Sequence, residues 1–339
     1  MNEDGSVQID GDALDAAARQ SHLSGVITVD VADERVLERC YGYRHRALAA
    51  PTTPDTRFAL ASGSKIFTAL AVLRLVETGR LALTDRVRSV LGDDLPLIDD
   101  PVTVEHLLGH TSGIGDYLDE DADWDASDYV LPVPVHTLAA TEAFVPVVDG
   151  YPQVFPPGER FAYNNGGYIV LAVIIDRLSD VGFHSYVEAE VLARAGLSHS
   201  GYLRSDELPG DAALGYLDDT SDRSNVLHLP VRGNGDGGAY ATAADLHAFW
   251  QALVAGRIVG PDLVATMITP RHEVPAEGMR YGLGCWLHRT GPAILVEGYD
   301  AGVSMRSIHD PATRTTATVL ANTSEGAWGV AGELLALFD

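Results

Sequence analysis

The chain has 339 residues, 46% of them hydrophobic and 21% charged, the balance of a folded globular protein; disorder, collagen and coiled coil are excluded as the dominant state. With 23 basic and 48 acidic residues the formal charge is −25, which repels phosphate backbones and excludes nucleic acid and anionic membrane as partners. Two cysteines, Cys40 and Cys285, are too few for a disulfide framework, and without a C-x-x-C or H-E-x-x-H motif no metal or other cofactor is expected.

The first residues are acidic and polar, unlike a secretory leader, and apolar stretches such as Tyr168–Ile175 fall short of the ~20 residues that cross a bilayer. A cytoplasmic location is expected if Met1 is native. Leu14, Ala17 and Ala18 share one face of a helix expected over Gly11–Ser21, and Ser24–Val31 and Arg35–Tyr43 read as an antiparallel strand pair around a turn. Ser64–Thr78 is a helix ended by Gly79; Val104–Leu108 is a short one capped by Thr103. Asp116–Asp128 reads as an exposed acidic loop and Asp218–Asn225 as a polar one. Helices follow over Gly167–Leu178, Tyr186–Ala195 and Ala243–Ala255, the last capped by Thr242. Tyr281–His288, Ala293–Glu297, Gly302–His309 and Thr315–Ala321 read as strands, and Gly329–Leu337 as a closing helix. This order predicts an α/β fold: an antiparallel sheet flanked by helices, built from residues 1–80 and 237–339, with residues 81–236 inserted as a mostly helical domain.

Lys65 is the only lysine in the chain; every other basic position carries arginine. Arginine does not deprotonate in proteins and lysine can, so Lys65 marks a place where proton transfer matters. Ser62 lies three residues before it, on the same face at the start of a helix. A serine hydroxyl becomes a nucleophile when a neighbouring base takes its proton, and a helix N-terminus supplies N–H groups to an oxyanion. Ser64, adjacent to Lys65, diverges from it. The structural alternative is an N-cap serine and a surface lysine. Tyr163 and Asn165, in a polar loop before an apolar helix, could serve as proton carrier and carbonyl donor, or simply as a helix cap with a packed ring.

Three segments, Phe58–Lys65, Leu81–Val87 and Leu107–Ile114, resemble in order the serine β-lactamase and penicillin-binding-protein-like hydrolases of the class C type. Pro157–Tyr168 fits that family's Y-x-N segment, and Gly237–Leu246 and Tyr281–Gly284 fit two later ones. The resemblance implies an active site in a cleft between an α/β domain and a helical one. It also implies Ser62 as the nucleophile of an acyl-enzyme, with Lys65 and Tyr163 shuttling its proton. Asn165 would hold the substrate, Gly298 would leave room for it, and the Tyr299 main-chain N–H would be an oxyanion donor. His110 resembles a structural residue. One motif departs: the family's lysine- or histidine-threonine-glycine is Val296-Glu297-Gly298 here. The loss of that cation argues against an efficient β-lactamase. Glu297 and Asp300 could receive a substrate ammonium, unless strand alternation turns Glu297 away from the cleft. The expected activity is therefore ester or amide hydrolysis of a small-molecule ester, amide or peptide, with a carboxylesterase first. The alternatives are a D-aminopeptidase, DD-peptidase or β-lactamase, then an acyltransferase or a non-catalytic binding protein.

Overall fold

The structure, a computed structural model, describes residues 9–118 and 128–339. Its centre is an eight-stranded antiparallel sheet made from both ends of the chain. The strands are β1 (Gly25–Val31), β2 (Glu34–Tyr41), β3 (His272–Val274), β4 (Met279–Tyr281), β5 (Trp286–His288), β6 (Ile294–Asp300), β7 (Val303–Asp310) and β8 (Thr315–Ala321). They lie in the order β2-β1-β8-β7-β6-β5-β4-β3. The first strand therefore pairs with the last along its whole length, Gly25 opposite Ala321 and Val31 opposite Thr315.

Both faces of the sheet are covered, and alternation along each strand sorts side chains between two cores. Ile27, Val29 and Leu295 pack with Leu14 and Ala18 of α1 (Gly11–Gln20) on one side. Val26, Val296 and Met305 face the other side, where α2 (Lys65–Glu77) is buried almost all round. Short α3 (Val104–Leu108) is closed by a capping box in which Thr103 and His106 satisfy each other's backbone N–H groups. Phe67 and Leu70 of α2 share one continuous cluster with Tyr168 and Ile174 of α4 (Asn165–Ser179) and with Phe249 and Trp250 of α5 (Ala243–Val254). At ~1.5–3 kcal/mol for each large apolar side chain buried, this cluster is the main adhesive between the sheet and the central helices. The C-terminal helix α6 (Trp328–Leu335) returns to the α1 side.

Three expectations need correction. Tyr281–His288 is not one strand: the chain turns at Gly282–Cys285, the Gly282 N–H donating to the Cys285 carbonyl, so Tyr281 and Trp286 pair across β4 and β5. Gly284 sits there at φ +82°, and an added Cβ would come within 2.3 Å of Ala69. Tyr186–Ala195 is not uniform either, because a wider π turn over Glu188–Leu192 interrupts the helix. Finally, the start of the acidic stretch is no exposed loop: Asp116 is drawn inward by backbone N–H groups, as described below. Residues 119–127 of that stretch lie outside the described residues. Cys40 is exposed, Cys285 is buried, and both are free thiols. No helix among the described residues is long and apolar enough to cross a membrane.

Candidate active site

A 3-10 turn, Ala61–Ser64, leads directly into α2. Its first residue, Ala61, has φ +42°, a conformation that L-residues adopt only when their surroundings impose it. The restraint comes from Ser64, whose buried hydroxyl donates to the Ala61 carbonyl at 2.6 Å and accepts the Ala239 N–H at 3.0 Å. Ser64 is thus a structural tie. Ser62 sits inside the tied turn with its hydroxyl 2.8 Å from Lys65 Nζ.

Lys65 is 3% exposed, so its amino group is deep in the protein with oxygen partners around it. Besides Ser62 Oγ, Nζ reaches Asn165 Oδ1 at 2.7 Å and the Asp236 carbonyl at 2.7 Å. Asn165 is the first residue of α4 and Asn164 its N-cap, whose side chain accepts the Gly167 N–H at 2.6 Å. Cap and site are therefore adjacent residues with separate tasks. The start of α4 is held again by Asp116, whose carboxylate accepts the N–H groups of Asn165 at 2.6 Å and Gly166 at 2.8 Å. Burial, the dominant influence, pushes the Asp116 carboxyl up to about 7 against these hydrogen bonds and the nearby Lys65.

Tyr163 enters the same corner. Lys65 Nζ is 5.0 Å from the centre of its ring, which stacks on Trp286 at 6.2 Å and leans on His110 at 4.3 Å. His110 is fully buried, its Nδ1 accepting the Asn164 N–H at 3.1 Å. The proton of the neutral ring is then on Nε2, which lies 3.1 Å from the Tyr281 hydroxyl. Burial, and secondarily the Lys65 charge, lowers the His110 pKa well below its ordinary value. His110 therefore props the Tyr163–Asn165 segment as a neutral group.

The opposite wall is the end of β6. Gly298 is packed so closely on the nucleophile turn that a Cβ would stand 2.0 Å from the Leu60 carbonyl oxygen and 3.0 Å from the Gly63 nitrogen. Val296, two residues earlier on the same face, is buried in the core at 4% exposure and offers no polar group to the cleft. Glu297 is on the other face, directly across the strand pair from Arg306. Arg306 donates to its carboxylate through Nε at 2.9 Å and Nη2 at 2.6 Å. Glu297 lines the rim of the cleft with its carboxylate paired to Arg306, a partner that weighs against the expected role as an ammonium receptor. Asp300, the second candidate for that role, lines a smaller cavity next to the cleft.

Ser62, Tyr163, Glu297, Gly298 and Tyr299 share one cavity of about 340 Å³, walled by aromatic residues including Phe161, Trp286 and Trp328. Arg160, the arginine on this wall, lies over the Phe155 ring at 4.3 Å. Arg280 is used elsewhere, donating to the carbonyls of His288 and Gly291. Three contributors were not read from the sequence: Asp116, the Asp236 carbonyl and Trp286. An acidic residue ahead of a helix start was a usable signal for Asp116; no local pattern marks a carbonyl or a cross-sheet stacking partner.

A model of the family described as beta-lactamase matches residues 12–338. Among solved structures, a penicillin-binding protein from Bacillus halodurans superposes with a TM-score of 0.88 at 38% identity, covering 96% of this chain and 100% of that one. The octameric penicillin-binding protein homologue from Pyrococcus abyssi gives 0.82 at 28% identity, over 96% of this chain and 76% of that one. Penicillin-binding protein 4* of Bacillus subtilis is 28% identical over 295 residues, 82% of this chain; the alignment spans 62% of that relative's length. The family model is matched from residue 12 to residue 338, nearly end to end, and the chain belongs to the beta-lactamase family.

Proposed function

We propose that the protein is a serine hydrolase that cleaves small esters or amides through an acyl-enzyme on Ser62. The observation that carries this reading is the Lys65 amine within hydrogen-bond reach of the Ser62 hydroxyl, Asn165 Oδ1 and the Asp236 carbonyl. Two of them, Asn165 Oδ1 and the Asp236 carbonyl, can only accept. A neutral amine has two hydrogens and one lone pair. With its hydrogens donated to the two carbonyl oxygens, the neutral amine can turn its lone pair to the Ser62 hydroxyl, 2.8 Å away.

In this reading Lys65 takes the Ser62 proton as Oγ bonds to the acyl carbon. The oxyanion is met by the main-chain N–H groups of Ser62 and Tyr299. Collapse breaks the bond to the leaving group, which receives the proton through Tyr163. Water then attacks the acyl-enzyme, gives its proton back along the same route, and releases the acid with Ser62 restored. The cleft belongs between the sheet body, residues 1–80 and 237–339, and the helical insertion 81–236. The aromatic walls and the apolar Val296 favour an ester, with amides or peptides next, over a β-lactam whose carboxylate needs a cationic anchor.

The test is a fluorophosphonate probe followed by intact-mass and peptide analysis, with turnover of 4-nitrophenyl butyrate and nitrocefin measured in parallel. One adduct on Ser62, lost with Ser62→Ala together with ester turnover by four or more powers of ten, is the expected result. An adduct on Ser64 or another serine overturns the assignment, and nitrocefin turnover matching the ester overturns the substrate preference.

A further inference from the structure

Two cavities flank the nucleophile turn. Ser62 and Tyr299 face the aromatic cleft, whereas their chain neighbours Ala61 and Asp300 face a second, smaller cavity of about 80 Å³. Its floor is the tight loop Asn234–Gly237, in which the two end residues exchange N–H···O=C bonds. That loop also supplies the Asp236 carbonyl that holds Lys65, so the small cavity is two hydrogen bonds from the nucleophile.

The lining is acidic. Asp236 and Asp300, whose Oδ1 accepts the Ala301 N–H at 2.9 Å, both contribute, and among the described residues no lysine, arginine or histidine does. Asp236 accepts the Tyr117 hydroxyl at 2.5 Å through one carboxylate oxygen. Burial raises its pKa, so a cation placed beside it would favour the ionised form. A separate observation points to a ligand. Asn234 lines this cavity at 1% exposure, and neither atom of its side-chain amide has a hydrogen-bond partner among the described residues. The Ser205 hydroxyl, on the same lining, is also buried with no hydrogen-bond partner among the described residues. Buried polar atoms are normally satisfied, and leaving one unpaired costs about 1–3 kcal/mol. A primary ammonium offers three donors, which suits two carboxylates and an amide oxygen.

We propose that this cavity receives the acyl part of the substrate and selects acyl groups that carry a primary ammonium close to the scissile carbonyl, the leaving group lying in the aromatic cleft. The inference rests on the acyl-enzyme reading above and adds the substrate class. It moves ammonium recognition from Glu297, which Arg306 occupies, to Asp236 and Asp300 on the other side of the turn.

The test compares isosteres that differ only in charge: the ethyl esters of glycine and propionic acid, and those of β-alanine and butyric acid, followed in a pH-stat. In at least one pair the ammonium ester should have the higher kcat/KM, beyond its greater reactivity toward hydroxide. Asp236→Asn and Asp300→Asn should each reduce that preference, read within each variant as the ratio of kcat/KM for the ammonium ester to that of its neutral isostere, about ten- to a hundredfold. Ser62-dependent turnover of the neutral esters, with no ammonium preference or one that both variants keep, overturns this inference and leaves the hydrolase reading standing. Absence of any Ser62-dependent turnover overturns the hydrolase reading instead. The cavity is then judged by calorimetric titration of the Ser62→Ala protein with glycinamide and with propionamide. Tighter binding of glycinamide, lost in Asp236→Asn, supports the site, and equal or undetectable binding of both overturns it.

Discussion

The two walls of the cleft are built on different principles. On the wall formed by Ser62, Lys65, Asn165 and Asp116, the polar groups are buried or half-buried and hydrogen-bonded to neighbours fixed by helix starts. On the wall formed by the end of β6, the strand supplies close packing and backbone: Gly298 has no room for a side chain, and the Tyr299 side chain is 40% exposed. The difference teaches where change should be tolerated. Substitutions on the first wall disturb charge and proton position, while substitutions on the second disturb distance.

The largest expected effect tests the first wall. Lys65→Arg keeps the positive charge but cannot accept the serine proton, and its longer fork does not fit among three close oxygens. Ester kcat should fall by about a thousandfold or more, nearly as far as with Lys65→Ala. Retention of more than about a tenth of native activity, a loss of ~1.4 kcal/mol or less, would reduce Lys65 to an electrostatic partner.

Gly298→Ala tests the second wall. A Cβ 2.0 Å from the Leu60 oxygen must push the strand away from the nucleophile turn. We expect a loss of about 1–3 kcal/mol in chemical denaturation and a fall in kcat that exceeds any change in KM. Unchanged stability and kcat would show that the two walls are not in register with one another.

Asp116 sharpens the comparison through pH. Its carboxyl ordinarily titrates at 3.8 and is raised to about 7 in the fold, so between these values the folded state holds a proton that the unfolded chain has lost. Stability from this group is therefore fully present below about 4 and declines as pH rises through about 7. Asp116→Asn removes the titration, and the fall in unfolding free energy between pH 5 and pH 7.5 should become shallower, as measured by urea denaturation at each pH. An unaltered slope would mean that Asp116 ionises in the fold as it does in the unfolded chain.

The smallest effect is expected at Glu297. Because Arg306 already holds its carboxylate, Glu297→Gln should leave kcat/KM for a neutral ester within about threefold. A tenfold loss would place Glu297 in the reacting machinery.

Much of this arrangement is legible in the sequence. The spacing of Ser62 and Lys65, the single lysine and the asparagine cap before an apolar helix are local features, and local geometry places them as expected: Ser62 one turn from Lys65, Thr103, Asn164 and Thr242 at helix N-termini. Misreadings arose where the outcome depends on a distant segment. Tyr281–His288 has the composition of one strand, but Gly284 lies against Ala69 of α2 and the chain turns there. Asp116 has the sequence setting of a solvated acidic run, yet α4 arrives with two N–H groups that draw it inward.

The sequence by itself determined the elements, their α/β order and the residue pair at the start of α2, because hydrophobic period, caps and i,i+3 spacing are properties of neighbouring residues. Only the tertiary structure decided the third partner of Lys65, the neutralisation of Glu297 by Arg306 and the two cavities on either side of the nucleophile turn. Each of these joins segments far apart in the chain. Their juxtaposition follows from how the strands pair and how the helices share one core, which no local pattern encodes.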